Sequence, residues 1–127
     1  MRIINNVRKR MNVTQGKLSI VMPAYNEEAL IYHSIMTTLE VVSDFAENIE
    51  IVAVNDGSSD NTKHEIERAC RKDSRVKLVS SDKNHGKGAA IITGVTMADG
   101  DYIAFLDADL ELPPGQLKGV LKKMEQS

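Results

Sequence analysis

The residues with the clearest capacity for chemistry are Asp107, Asp109 and Glu111. These three acids stand at i, i+2 and i+4, directly after the apolar run Ile103-Ala104-Phe105-Leu106. An unbroken apolar run of this kind suits a central strand buried on both faces. If the chain stays extended beyond it, alternate side chains point to one side, and the three carboxylates gather at a strand end. Carboxylates crowded together repel one another unless a cation joins them or one takes a proton. An all-oxygen donor set favours a hard ion, Mg2+ or Mn2+, and such ions usually sit on substrate phosphates. A solvated acidic loop would account for the same three residues. The weight of the metal reading therefore depends on what the rest of the chain places beside them.

Four strand-and-helix units follow from the patterning. Leu18 to Met22 reads as a first strand, ended by Pro23, which cannot extend a ladder. Glu27-Glu28 open a helix with acids in its positively polarised first turn, and Leu30, Ile31, Ile35, Leu39 and Val42 form its buried stripe. Ile49 to Val54 is the second strand, and Asn55-Asp56-Gly57-Ser58-Ser59-Asp60 is dense turn chemistry. Ser59 or Asp60 can cap the next helix, whose inner face carries Ile66, Ala69 and Cys70. Val76 to Val79 is a short third strand, followed by a small-residue helix from Gly88 to Met97, with Gly100 expected at its C-cap. Tyr102 to Leu106 is the fourth strand. Pro113-Pro114 begin a last helix with Leu117, Val120, Leu121 and Met124 on one face.

Strands alternating with helices imply right-handed crossovers, hence the α/β class: a Rossmann-like parallel sheet of about four strands flanked by helices. In such sheets ligands bind at the carboxyl ends of the strands, near the topological switch point. The polar clusters Pro23 to Glu27, Asn55 to Asp60 and Asp107 to Glu111 all fall at those ends.

Composition narrows the partners. A chain of 127 residues makes one domain, and its net charge of −2 supplies no basic field for nucleic acid. Tryptophan is absent, which argues against base-stacking platforms. The single Cys70 excludes an intrachain disulfide and a cysteine zinc cluster, and fits a reduced cytoplasmic setting. No apolar run approaches the roughly 20 residues that span a bilayer, and no signal peptide is visible. Residues 1–16 read as a flexible basic arm, with Arg2, Arg8, Lys9 and Arg10, and 17–127 as the α/β domain.

An acidic crevice of this kind binds a nucleoside diphosphate only with a divalent ion, and that ion then stabilises the diphosphate as it leaves. Asp56 can accept from a base N–H or ribose hydroxyls, and Tyr25 can either lie against a base or pack over its strand end. Lys87, at a helix start, can reach a phosphate or remain solvated. His85-Gly86-Lys87-Gly88 is not a P-loop, because Ser81 stands where the first glycine is required. The dinucleotide fingerprint fails too, with Ile91 in place of its last glycine. His33 and His64 fall on helix surfaces and carry no assignment, and Cys70 reads as a small core residue.

Taken together, Pro23-Ala24-Tyr25-Asn26-Glu27-Glu28, Asn55-Asp56-Gly57-Ser58-Ser59-Asp60, Asn84-His85-Gly86-Lys87-Gly88-Ala89-Ala90, Gly100-Asp101 and Asp107-Ala108-Asp109-Leu110 resemble the inverting family 2 glycosyltransferases of the A-type fold. The chain is most similar in flavour to the branch that moves sugar onto polyprenyl phosphates, such as dolichyl-phosphate mannose or glucose synthases. The resemblance runs from about Leu18 to the end of the chain. It implies that Pro23, Ala24, Tyr25 and Glu27 hold the base and ribose, with Val54 and Asp56 beside the base. It further implies that Asp107, Ala108 and Asp109 hold ribose, diphosphate and metal, with Glu111 a further metal ligand. The donor would be a UDP- or GDP-linked sugar, the cofactor Mg2+ or Mn2+, and the acceptor a polyprenyl phosphate at the cytoplasmic membrane face.

In that family a second half holds the acceptor and often supplies a catalytic aspartate. The present chain lacks that half, so no catalytic residue is assigned, and the domain reads as the donor-binding portion, incomplete at its C-terminal end. The fourth strand is expected to carry an open edge, which invites self-association. Two rivals stand beside this reading. One is a non-catalytic nucleotide-binding or assembly module. The other is a receiver-type signalling domain with Asp56 as the phosphorylated residue.

Overall fold

The structure is a computed structural model that describes residues 2–5, 16–44 and 46–109, of the first four the backbone alone. The elements in chain order are β1 (Arg2–Asn5), β2 (Lys17–Ala24), α1 (Ile31–Val42), β3 (Asn48–Asp56), α2 (Thr62–Lys72), β4 (Val76–Ser81), α3 (Lys87–Met97) and β5 (Tyr102–Phe105). They build a sheet in the order β1-β5-β2-β3-β4. β2 pairs in parallel with β3 on one side and β5 on the other, and β3 pairs in parallel with β4. The chain therefore steps outward from β2 to β4, then returns across the sheet to lay β5 against the free side of β2. The switch point lies between β2 and β5.

The two sheet faces are read directly from period two. Leu18, Ile20, Met22, Ile49, Ile51 and Ala53 meet α1 and α2 through Ile31, Ile35, Leu39 and Ile66, forming the larger core. Val21, Val52, Val54 and Ile103 face the other way, under α3 through Ala90. α3 lies very close to the strands, since a Cβ on Gly94 would come within 2.3 Å of Val21 Cγ1. Any side chain there would lift the helix. Cys70 packs against the larger core, where burial pushes its thiol pKa up.

The strands run longer than the apolar runs suggest, because β2 and β3 keep pairing through Pro23↔Val54 and Ala24↔Asn55 into their polar ends. α1 begins at Ile31, not at Glu27-Glu28, and has no acid in its first turn. α3 closes at Ala98, two residues before Gly100, whose N–H donates instead to Ser19 Oγ at 2.8 Å. Within the segment expected to be a loose arm, Arg2–Asn5 form β1, antiparallel to β5 from Arg2↔Phe105 to Asn5↔Tyr102. The edge of β5 expected to stand open is thus already paired, because its ladder groups find partners within the same chain. Glu111 and the helix expected from Pro113 lie outside the described residues.

At the amino ends of the strands, Glu50 is only 5% exposed. Ser19 Oγ donates to its carboxylate at 2.6 Å and the Asp99 N–H at 2.7 Å, while Lys77 and Lys17 approach to 3.0 and 3.6 Å. Burial alone would raise its pKa. The Ser19 and Asp99 hydrogen bonds, then the two lysines, outweigh burial and leave it below the usual glutamate value. A folded-state pKa below the unfolded one adds stability above the unfolded pKa, and that stability is lost as pH falls through the folded value. Glu50→Gln should therefore cost about 1–3 kcal/mol at pH 7. In urea titrations the gap from wild type should close as pH falls through the acid range; a gap unchanged with pH would contradict this account.

Candidate nucleotide site

At the opposite end of the sheet, a crevice of about 370 Å3 opens across the switch point. Its walls are Pro23, Ala24, Tyr25 and Glu27 after β2, Asp56 at the end of β3, Asn84, Gly86, Lys87 and Ala90 around the start of α3, and Asp107, Ala108 and Asp109 after β5. Of the eleven residues expected on such a site from sequence, Glu111 lies outside the described residues and nine of the other ten line this crevice. The exception is Val54, 1% exposed among the residues packed under α3. Its side chain is core, and only its place in the β3 ladder connects it to the crevice. Asn84, Gly86 and Ala90 line the wall without having been singled out as site residues. Their signal was their place around Lys87 in a turn-rich stretch just after a strand.

Asp56 is 4% exposed and holds a loop. Its Oδ1 accepts the His85 N–H and its Oδ2 the Gly86 N–H, both at 3.0 Å. Both oxygens keep further lone pairs toward the crevice. Gly57, at φ 66°, brings the turn after β3 against this loop: a Cβ there would stand 2.2 Å from the Lys83 carbonyl carbon. That glycine is required by both its conformation and the close approach.

The acids after β5 do not continue as an extended run. β5 ends at Phe105, and residues 108–109 form a turn. The chain there is still held to its neighbours, by the Leu106 N–H on the Val21 carbonyl and by Ser34 Oγ donating to the Ala108 carbonyl. Lys87 Nζ stands 2.6 Å from Asp107 Oδ1, an exposed ion pair worth little stability but placing one cation on the acidic wall. Glu27 lies within the field of three acids. Burial raises its pKa, and the Asp109, Asp60 and Asp107 charges raise it further. Tyr25 is 47% exposed at the crevice mouth, open to a flat ligand.

Among the described residues no three His, Cys, Asp or Glu side chains form a group able to hold a metal by themselves. Asp107 and Asp109 nevertheless offer hard oxygen donors in one crevice. That suits an ion such as Mg2+ or Mn2+, which takes one or two carboxylates and completes its shell with phosphate oxygens and water. Among the same residues no helix is long and apolar enough to cross a membrane.

A parallel sheet with an acidic crevice at its switch point belongs to the nucleotide-binding α/β architectures. The sequence model for "Glycosyl transferase family 2" matches residues 19–127, and the chain belongs to that family. It is 34% identical over 112 residues to an undecaprenyl-phosphate 4-deoxy-4-formamido-L-arabinose transferase of Proteus mirabilis, covering 87% of this chain and 34% of that protein. It is 36% identical over 108 residues to an uncharacterized glycosyltransferase, YkcC, of Bacillus subtilis, covering 85% and 33%. Among solved structures, the mannosyltransferase PcManGT from Pyrobaculum calidifontis, in complex with GDP-Man and Mn2+, superposes with a TM-score of 0.68 at 27% identity, over 74% of this chain and 28% of that one. S. aureus TarS 1-349 in complex with UDP-GlcNAc gives 0.71 at 26%, over 87% and 31%. The chain thus spans about a third of the length of the curated relatives it matches.

Asp56→Asn should loosen the 84–86 loop, because one of the two acceptor oxygens becomes an NH2 group that cannot accept the N–H it now faces. Amide exchange at His85 and Gly86 should speed up about tenfold while β2 and β3 stay protected. Unchanged exchange there would show that Asp56 does not hold the loop.

Proposed function

We propose that this chain forms the donor site of an inverting hexosyltransferase, binding a UDP- or GDP-linked sugar with Mg2+ or Mn2+. A polyprenyl phosphate at a membrane surface is the proposed acceptor. The observation that carries the reading is the meeting of Tyr25, Glu27, Asp56, Asp107 and Asp109 in one crevice across the switch point. The names of the relatives support a polyprenyl-phosphate acceptor, and the ligands of the structural neighbours support a nucleotide sugar with a divalent ion.

In this reading Tyr25 covers the base and Asp56 accepts from it, with Pro23 and Ala24 forming the floor under base and ribose. Asp107 and Asp109 are the residues that would hold the ion, and Glu111, the third acid of the spacing, belongs to the same proposal. When bound, the ion supplies Lewis-acid stabilisation of the departing diphosphate. Lys87, at the amino end of α3, places its ammonium beside Asp107, where it can also meet a diphosphate oxygen. Burial and three neighbouring carboxylates disfavour the Glu27 charge, and a cation entering the crevice would offset them.

Transfer is a single displacement. An acceptor phosphate oxygen bonds to the anomeric carbon as the bond from that carbon to the nucleoside diphosphate oxygen breaks, and configuration inverts. A phosphate acceptor arrives ionised, so the step needs no protein base to remove a proton.

Calorimetric titration with UDP and GDP, each with and without Mn2+, tests this. One nucleotide should bind in a metal-dependent manner, and Asp109→Ala should weaken it at least about tenfold, the scale of a lost charged contact. Binding of neither nucleotide by folded protein, or equal binding by the variant, would overturn the reading.

A further inference from the structure

The stretch from Tyr25 to Leu30 belongs to no helix or strand, yet it supplies Tyr25 and Glu27 to the crevice. Asn26 has φ 51°, a left-handed conformation that asparagine tolerates better than most non-glycine residues and that marks a turn. Three successive N–H groups in this stretch are taken by side chains from the segment after β3. Asn26 N–H donates to Ser58 Oγ at 3.0 Å, Glu27 N–H to Thr62 Oγ1 at 2.8 Å, and Glu28 N–H to Asp60 Oδ2 at 3.3 Å. In return Asn26 Oδ1 accepts the Ser59 N–H at 2.9 Å. Of these partners Thr62 is completely buried, and its hydroxyl is used twice, accepting from Glu27 and donating to Asp60 Oδ1. Asp60 Oδ1 also takes the Thr62 N–H at 2.9 Å, so the carboxylate is fixed at the start of α2.

None of Ser58, Ser59, Asp60 and Thr62 lines the crevice. Their function lies in what they hold. We infer that Thr62, fixed by Asp60, is a positioning residue for the donor site: its hydroxyl sets the backbone that carries Tyr25 and Glu27, and so sets affinity for the nucleotide without touching it. The geometry is directional. The Asp60 carboxylate accepts the Thr62 hydroxyl proton, which leaves the oxygen lone pairs for the Glu27 N–H. Thr62 therefore acts on one peptide of the crevice wall. Removing its hydroxyl leaves a part-buried N–H without its acceptor next to a left-handed residue, which loosens the stretch.

The inference rests on the donor-site reading, so the test pairs a nucleotide measurement with one that needs no nucleotide. Thr62→Val keeps the shape and removes the hydroxyl, Thr62→Ser keeps the hydroxyl, and Asp60→Asn turns an acceptor into a donor facing the Glu28 N–H. Without ligand, Thr62→Val and Asp60→Asn should exchange the Glu27 and Glu28 amides about tenfold faster than wild type, with the β2 and β3 amides unchanged. With the nucleotide that wild type binds in Mn2+, both variants should raise Kd about five- to tenfold, and Thr62→Ser should stay within about twofold. Equal Kd for Thr62→Val and wild type, or equal weakening by Thr62→Ser and Thr62→Val, overturns the positioning role. If Thr62→Val fails to fold, Asp60→Asn decides by the same two readouts. A wild-type chain that binds neither nucleotide overturns the donor-site reading instead, and the exchange comparison then decides by itself whether the hydroxyl holds the stretch.

Discussion

The whole arrangement depends on the pairing of β5 with β2. That ladder, from Leu18↔Tyr102 to Val21↔Phe105, reverses the outward march of the chain and makes the switch point. Without it the acids after β5 and the Pro23 to Glu27 segment would end on unrelated parts of the surface. The pairing is long-range and spans only four residues of β5, so its register needs support from outside the ladder. It has support at both ends. At the start Asp101 Oδ2 accepts the Lys17 N–H, and the Gly100 N–H reaches Ser19 Oγ. Beyond the end, the Leu106 N–H continues onto Val21 and Ser34 holds the Ala108 carbonyl. A one-residue slip would carry Ala104 and Ile103 to the wrong faces and swing Asp107 away from Glu27. β1, on the far side of β5, encloses the short strand between two partners.

Much of this was legible in the chain. The alternation of Leu18, Ile20 and Met22 with Ser19 and Val21 shows a strand with two buried faces, and the stripe from Ile31 to Val42 shows the helix that covers one of them. Turn chemistry at Asn55 to Asp60 marks a strand end. What was not legible depends on partners distant in sequence. The start of α1 falls at Ile31 instead of Glu27 because residues 28–30 form a turn after the left-handed Asn26, and that segment is tied to Ser58, Asp60 and Thr62, more than thirty residues away. β1 was hidden because Arg2–Asn5 are half polar and pair with a strand a hundred residues on. Val54 looked like a site residue by position, but its side chain points to α3, a matter of strand parity. The acids after Leu106 were expected on an extended chain, and a turn gathers Asp107 and Asp109 at the crevice instead.

The two ends of the sheet treat acidic residues in opposite ways, and this contrast supports the proposed site better than cavity size does. A second hollow of about 400 Å3, slightly the larger, lies at the amino ends of the strands, lined by Lys17, Glu50, Lys77 and Asp99 among others. There the most buried carboxylate is saturated. Glu50 has two hydrogen bonds and two lysines, and its pKa is held down. An added ligand would have to displace partners already in place. At the carboxyl ends the balance is reversed. Glu27 shares its surroundings with Asp60, Asp107 and Asp109 and is pushed up. Lys87 is an exposed counter-charge on one of them. The chain on either side is held from outside the crevice, by Thr62 and Asp60 behind Glu27 and by Ser34 behind Ala108. Those bonds hold the backbone that carries Glu27 and Ala108, and so place the residues proposed to meet a cation and its phosphates.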